Sequence, residues 1–198
     1  MIAASPAIQG RGQMNTVDIV VAAAIGIVFG VLSALWQTVY NGAGAAFGPL
    51  GSAIVAGFVC IPAILAAYII RKPGAALLAE IVSVFGQALG GNPLGIVVLV
   101  YGIAQGLPAE AVFAATRYRR WGWPTLLAAA ALSQAGSWVA SVFVYSFYKY
   151  DIPLNIALLV AQMASGIVLA GVVSKLIGDA LLRTGALNNF PIARETQV

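Results

Sequence analysis

The sequence predicts an all-α integral membrane protein with six transmembrane helices. Three observations predict it. Of 198 residues, 61% are hydrophobic and only 8% charged, against roughly 25% charged in an ordinary soluble domain. Mean hydropathy is +0.96, and a soluble chain of this length buries only about 70% of its surface on folding, so the apolar excess needs the bilayer as solvent. The basic residues, finally, fall beside alternate apolar runs.

The runs cover 17–36, 52–70, 74–89, 95–116, 125–148 and 153–180. About 20 apolar residues cross the ~30 Å hydrocarbon core. The third run is short for a crossing, and 37–51 has the composition of a segment that dips back into the membrane. Residues 1–16 contain no hydrophobic signal core and read as a short cytoplasmic tail. The expected organisation is that tail, one membrane domain over 17–182 and a second loose cytoplasmic tail over 183–198. Pro93, Pro124 and Pro153 stand near helix starts, where a missing N–H costs little. Pro62 and Pro108 fall inside runs and are expected to kink them. At Pro108 the kink either opens the helix toward a cavity or is simply tolerated.

Charge sets the orientation. Arg11, Arg71, Lys72, Arg117, Arg119, Arg120, Lys175, Arg183 and Arg194 all fall on one side of a six-span chain, and only Lys149 on the other. That bias places both termini in the cytoplasm and the protein in the cell membrane. Trp121 and Trp123 suit the interface on the basic side, Tyr148 and Tyr150 the opposite one. Orientation thus accounts for the net charge of +4, and no nucleic-acid partner is implied.

Enzyme signatures are missing from the sequence. There is no histidine, no G-x-x-x-x-G-K-[ST] phosphate loop and no G-x-S-x-G elbow. No metal, cofactor or catalytic residue is expected. Cys60, the one cysteine, lies in an apolar run and reads as an inert buried thiol. Uphill transport by this chain would need an ion gradient or ATPase partners.

Ionisable residues inside a membrane are costly and mark functional candidates. Glu80 lies in the third run and Glu110 in the fourth. Counted from the turn at Asn92, Glu80 and Gln105 reach similar depth, whereas Glu110 lies nearer the cytoplasm and can equally serve the arginine cluster or a helix interface. Gln87 follows Glu80 by two helical turns, on the same face. Gln134, Trp138, Ser141 and Tyr145 make a polar-aromatic face on the fifth run, Gln162 lies in the sixth, and Trp36, Gln37, Tyr40 and Asn41 close the first. Together they suit a pocket in the outer half for a small, flat, nitrogen-rich, cationic ligand, held by aromatic faces, amides and one carboxylate. Each has a plainer reading. Gln134 and Gln162 can bond across helices, Trp138 and Tyr145 can pack against lipid or core, Trp36 and Tyr40 can be belt residues, and Glu80 can pair with a neighbouring amide. Ala22, Gly26 and Gly30 form a small-residue ridge that admits another helix, from this chain or from a partner subunit.

The stretches AAYIIRKPGAALLAEI, GGNPLG and YGIAQGLPAEAVFAATR, between Tyr68 and Arg117, resemble the YkoE family, and TGALN near Thr184 extends the likeness. Its members are substrate-binding S components of energy-coupling factor (ECF) vitamin importers, assigned to thiamine and its hydroxymethylpyrimidine moiety. The resemblance implies a six-helix S-component bundle that captures its ligand outside, works with a transmembrane coupling subunit and ECF ATPases, and topples in the lipid bilayer to deliver its cargo. It makes Ala22, Gly26 and Gly30 the candidates for the coupling interface. Rival readings are an S component for another vitamin, a proton-coupled secondary transporter working through Glu80 and Glu110, and a purely structural membrane subunit.

Overall fold

A computed structural model describes residues 12–92 and 95–194; the readings of Arg11 and Pro93, and of the side chain of Arg194, lie outside the described residues. All regular structure among the described residues is helical. The first helix, α1 (Thr16–Val55), opens on a capping box: Asp18 N–H donates to Asn15 Oδ1 at 2.9 Å and Asn15 N–H to Asp18 Oδ2 at 2.8 Å. Such a cap contributes about 1 kcal/mol. Asp18 also holds Lys72 Nζ at 2.6 Å, which ties the start of α1 to the turn before the third span.

Gly48 divides α1 into two arms. Its φ of 66° is left-handed and Pro49 follows it, so glycine supplies the conformation and proline ends the donor ladder. The chain then doubles back. Ser52 Oγ donates to the Tyr40 carbonyl at 3.1 Å, and Trp36 Nε1 to the Val55 carbonyl at 3.0 Å. The first span therefore runs on to residue 47, past the expected end at Trp36, and 37–51 is its last turns plus the reversal, not a separate re-entrant element. Gly42 and Gly44 within that stretch stay helical, and only Gly48 leaves the helical region.

The return arm passes through a 3₁₀ turn (Ala56–Cys60) into α2 (Ile61–Ile70). Pro62 stands in the first turn of α2, where its missing N–H breaks nothing, so the expected kink is this junction. Every residue of α2 is buried, none more than 4% exposed, and the other helices pack around it. Next come α3 (Ala75–Leu89), α4 (Val98–Ala115) and α5 (Trp123–Val144). The last span is one continuous rod of α6 (Ile152–Ser165), a π turn (Gly166–Val172) and α7 (Val173–Arg183), followed by the short α8 (Pro191–Arg194). At 15 residues α3 is the short crossing the sequence predicts. The six spans of the sequence are thus present, with the first pair joined through Gly48.

The small-residue ridge is spent inside the chain. A Cβ on Gly26 would lie 2.7 Å from the Ala79 carbonyl oxygen, and one on Gly30 would lie 2.6 Å from that of Ser83. Ala22, Gly26 and Gly30 are buried against α3, which corrects their assignment to a partner interface. Pro108 lines none of the cavities described below. It removes the N–H that would bond the Ala104 carbonyl, and the α5 backbone at Gly136 closes over that carbonyl with no room for a side chain. The C-terminal segment is not wholly a loose tail either: Leu187 and Ile192, 6% and 1% exposed, join the main core.

The reversal end carries Gly48, the α3–α4 turn and Phe147–Lys149; the basic end carries Arg71, Lys72, Arg117–Arg120 and Arg183. At the basic end Lys175 Nζ bonds Asp179 at 2.7 Å and the Tyr68 hydroxyl at 3.0 Å, cross-bracing α2 and α7.

Candidate ligand cavity

At the reversal end the spans diverge around a cavity of about 70 Å³, several times the 10–15 Å³ that one water needs. Its wall takes Ser33, Trp36, Gln37 and Tyr40 from α1, Val84 and Gln87 from α3, and Asn92 from the turn beyond. Tyr101 and Gln105 of α4, Ser137 and Ser141 of α5, Tyr145 just past its end, and Gln162 of α6 complete it with Ala56, Val59 and Val98. A wider mouth shares Tyr40, Tyr145 and Gln162 and adds Ser52, Phe147 and Tyr150.

The wall is pre-organised. Trp36 stacks on Phe58 with centroids 4.4 Å apart at 15°, and the bond from its indole to Val55 fixes its plane. Ser141 Oγ donates to the Ser137 carbonyl at 2.9 Å, which makes the Tyr101 hydroxyl, 3.0 Å away, the donor to Ser141. Gln105 Nε2 donates to Ser137 Oγ at 3.0 Å. That leaves Gln105 Oε1 without a hydrogen-bond partner, and Gln162 Oε1 is in the same position. A buried acceptor left so costs about 1–3 kcal/mol, a cost that a donor-bearing ligand would relieve.

Of the sequence candidates, Trp36, Tyr40, Gln87, Asn92, Gln105, Tyr145 and Gln162 stand on the cavity. Glu80, Gln134 and Trp138 do not. Glu80 shares the face of Val84 and Gln87, but the cavity ends at Val84, one turn short of it. Its carboxyl is fully buried under α4, where a Cβ on Gly106 would lie 3.3 Å from the Glu80 Cβ. The cavity wall therefore carries no carboxylate, contrary to expectation. Gln134 lies one turn below Ser137 and spends its amide on the Ala56 carbonyl at 2.9 Å and Cys60 Sγ at 3.2 Å. Trp138 turns toward Phe147, Leu158 and Ala53. Sequence reasoning missed Ser33, Tyr101 and Ser137. Helical spacing held the signal, since Tyr101 and Ser137 lie one turn from Gln105 and Ser141 and Ser33 one turn from Trp36 and Gln37.

Glu110 serves a helix interface. Its Oε1 accepts from Gly74 N–H at 2.7 Å and from the Tyr118 hydroxyl at 2.7 Å; its Oε2 accepts from Ala76 and Leu77 N–H at 3.0 and 3.3 Å. A carboxylate here satisfies the orphan donors and the positive pole of α3. Burial first, and then the bond to Glu110, raise the Tyr118 phenol above its usual value, so it remains a donor at neutral pH.

Residues 17–136 match the family described as ABC-type cobalt transport system, permease component. The chain is 39% identical over 178 residues to the HMP/thiamine permease protein YkoE of Bacillus subtilis (strain 168), covering 90% of this chain and 89% of that one. The chain belongs to the YkoE family. Its fold agrees with a solved S component of an ECF transporter, at a TM-score of 0.90 and 38% identity over 93% of this chain and 94% of the other. That match covers all the spans described above.

Proposed function

We infer that this chain is the substrate-capture subunit of an ECF importer, that its cavity faces outward, and that its ligand is hydroxymethylpyrimidine or thiamine. The observation that carries the reading is the pair of unsatisfied amide oxygens, Gln105 Oε1 and Gln162 Oε1, in a wall otherwise made of tyrosine, tryptophan and serine. An aminopyrimidine offers an exocyclic N–H₂ to such acceptors and a flat ring to Trp36. The thiazolium of thiamine is a cation without hydrogen-bonding need, which tyrosine faces at the mouth accommodate. A divalent metal would ask for carboxylate, imidazole or thiolate ligands, and the cavity wall has none of these.

The basic end faces the cytoplasm by the distribution of lysine and arginine, with both termini on that side, so the mouth opens outside. A transmembrane coupling subunit and ECF ATPases supply the energy. The familial likeness to an S component supports that assembly.

The test is a titration of the purified chain with hydroxymethylpyrimidine and with thiamine, followed by tryptophan fluorescence and calorimetry. Saturable binding of either supports the reading; no binding by folded protein overturns it. Trp36→Ala removes a stacking platform worth about 1–3 kcal/mol per ring, so the dissociation constant is expected to rise about 5- to 150-fold. Gln105→Leu should weaken an aminopyrimidine and leave an analogue lacking the amino group nearly unchanged.

A further inference from the structure

Most cations of the basic end already have partners: Lys72 bonds Asp18, Lys175 bonds Asp179, and Arg71 lies over the rings of Tyr68 and Trp121 at 5.4 and 5.5 Å. Arg117, Arg119 and Arg120 differ. All three are exposed, and among the described residues none has an acidic side chain within ion-pair distance. They ring an open hollow floored by Ala115 and Thr116 at the end of α4.

The turn that presents them is built. Arg117 and Tyr118 are both left-handed, with φ of 53° and 54°, a conformation unusual for side-chain-bearing residues and worth a functional reading. Tyr118 points inward to Glu110, and Trp121 is buried on Phe113 and donates its indole N–H to the Tyr118 carbonyl at 3.2 Å. With those two residues fixed inside, the arginines between and before them turn outward. Complementing the α4 C-terminus needs only about half a unit charge, and orienting the chain needs cations on this side but no shared hollow.

Directly above the hollow, the outer face of α4 exposes Val100, Ile103, Leu107 and Ala111, a continuous apolar stripe at helical spacing. A basic hollow at the membrane surface with an apolar track leading from it into the bilayer has the shape and charge of a phospholipid site. We propose that the hollow formed by Ala115, Thr116, Arg117, Arg119 and Arg120 binds the headgroup phosphate of an anionic phospholipid whose acyl chain lies along the α4 stripe. Juxtamembrane arginines attract anionic headgroups and phosphate pairs bidentately with guanidinium.

The experiment is native mass spectrometry of the whole chain in detergent doped with equal phosphatidylglycerol and phosphatidylcholine, for wild type and Arg117→Gln/Arg119→Gln/Arg120→Gln. Wild type is expected to retain phosphatidylglycerol selectively. The triple variant should lose about 100-fold in that affinity, since each surface arginine contributes roughly fivefold. Arg183→Gln, which removes one charge outside the hollow, should retain it. If the triple variant does not fold, Arg119→Gln and Arg120→Gln singly should each show about a fivefold loss. Equal phosphatidylglycerol retention by wild type and variant overturns the proposal. So does displacement of the lipid by millimolar inorganic phosphate, which would make this a free-anion site. Unchanged lipid retention with lost assembly onto coupling subunits would assign the arginines to an acidic protein surface and overturn it as well.

Discussion

Gly30→Leu is expected to yield little or no folded, ligand-competent protein. A Cβ at this position already meets the Ser83 carbonyl oxygen at 2.6 Å and the Gly86 Cα at 3.1 Å. Both are backbone atoms, so no rotamer change relieves the contact. Overpacking of a yielding core costs about 1–3 kcal/mol, and a leucine wedged between two backbones must separate α1 from α3 along their length. Both helices wall the cavity, through Trp36 and Tyr40 on one side and Gln87 on the other. Fluorescence-detected size exclusion in mild detergent should show aggregated or absent protein, and any monodisperse remainder should not bind ligand. A well-folded Gly30→Leu protein that binds normally and fails only to join its partners would restore the ridge to an outer interface.

Glu110→Ala should destabilise by several kcal/mol without touching the cavity. Its carboxylate accepts from Gly74, Ala76, Leu77 and Tyr118, and hydrogen bonds to a charged group contribute about 1.5–3 kcal/mol each. Alanine leaves the first turn of α3 with orphaned donors and the Tyr118 hydroxyl with no acceptor. A drop of 10 °C or more in melting temperature is the expected reading, on the scale of about 2–4 °C per kcal/mol for this chain length. Hydroxymethylpyrimidine affinity measured below the transition should stay within about twofold of wild type, because Glu110 stands at the opposite end of the bundle. A large affinity loss with an unchanged melting temperature would return Glu110 to the ligand. Glu110→Gln should fall between, since its amide oxygen can still accept.

The architecture was legible because a membrane span announces itself by composition, with turn residues and charges marking where each span stops. Where the sequence reading slipped, geometry finer than a hydropathy window decided. Residues 37–51 have the composition of a re-entrant segment because they mix Gln37, Asn41 and four glycines, yet no backbone donor is lost until Pro49. The ridge Ala22–Gly26–Gly30 has the same appearance whether it meets α3 or another subunit, and only the packing of Ala79 and Ser83 against it distinguishes the two. In the cavity, helical spacing found the right faces of α3 and α5. Counting from Asn92 set Glu80 level with the Gln105 turn of α4, as the contact of Gly106 with Glu80 shows, but neither told where the cavity stops. Glu80 and Gln134 are correctly phased and one turn too far in. Glu110 was ambiguous because an acid seven residues before Arg117 says nothing of the α3 N-terminus, which reaches it from elsewhere in the chain.

The completeness of α2's burial bears on how cargo crosses. Below the cavity floor lie ten consecutive residues, Ile61 to Ile70, none more than 4% exposed. At 1.5 Å per residue they amount to about 15 Å of close-packed hydrocarbon. Sliding a hydrated ring through such a stopper would mean unpacking the central helix of the bundle. The protein is therefore shaped as a cup with a thick base rather than as a tube. A ligand in the cavity is separated from the basic end by that whole length of packed side chains.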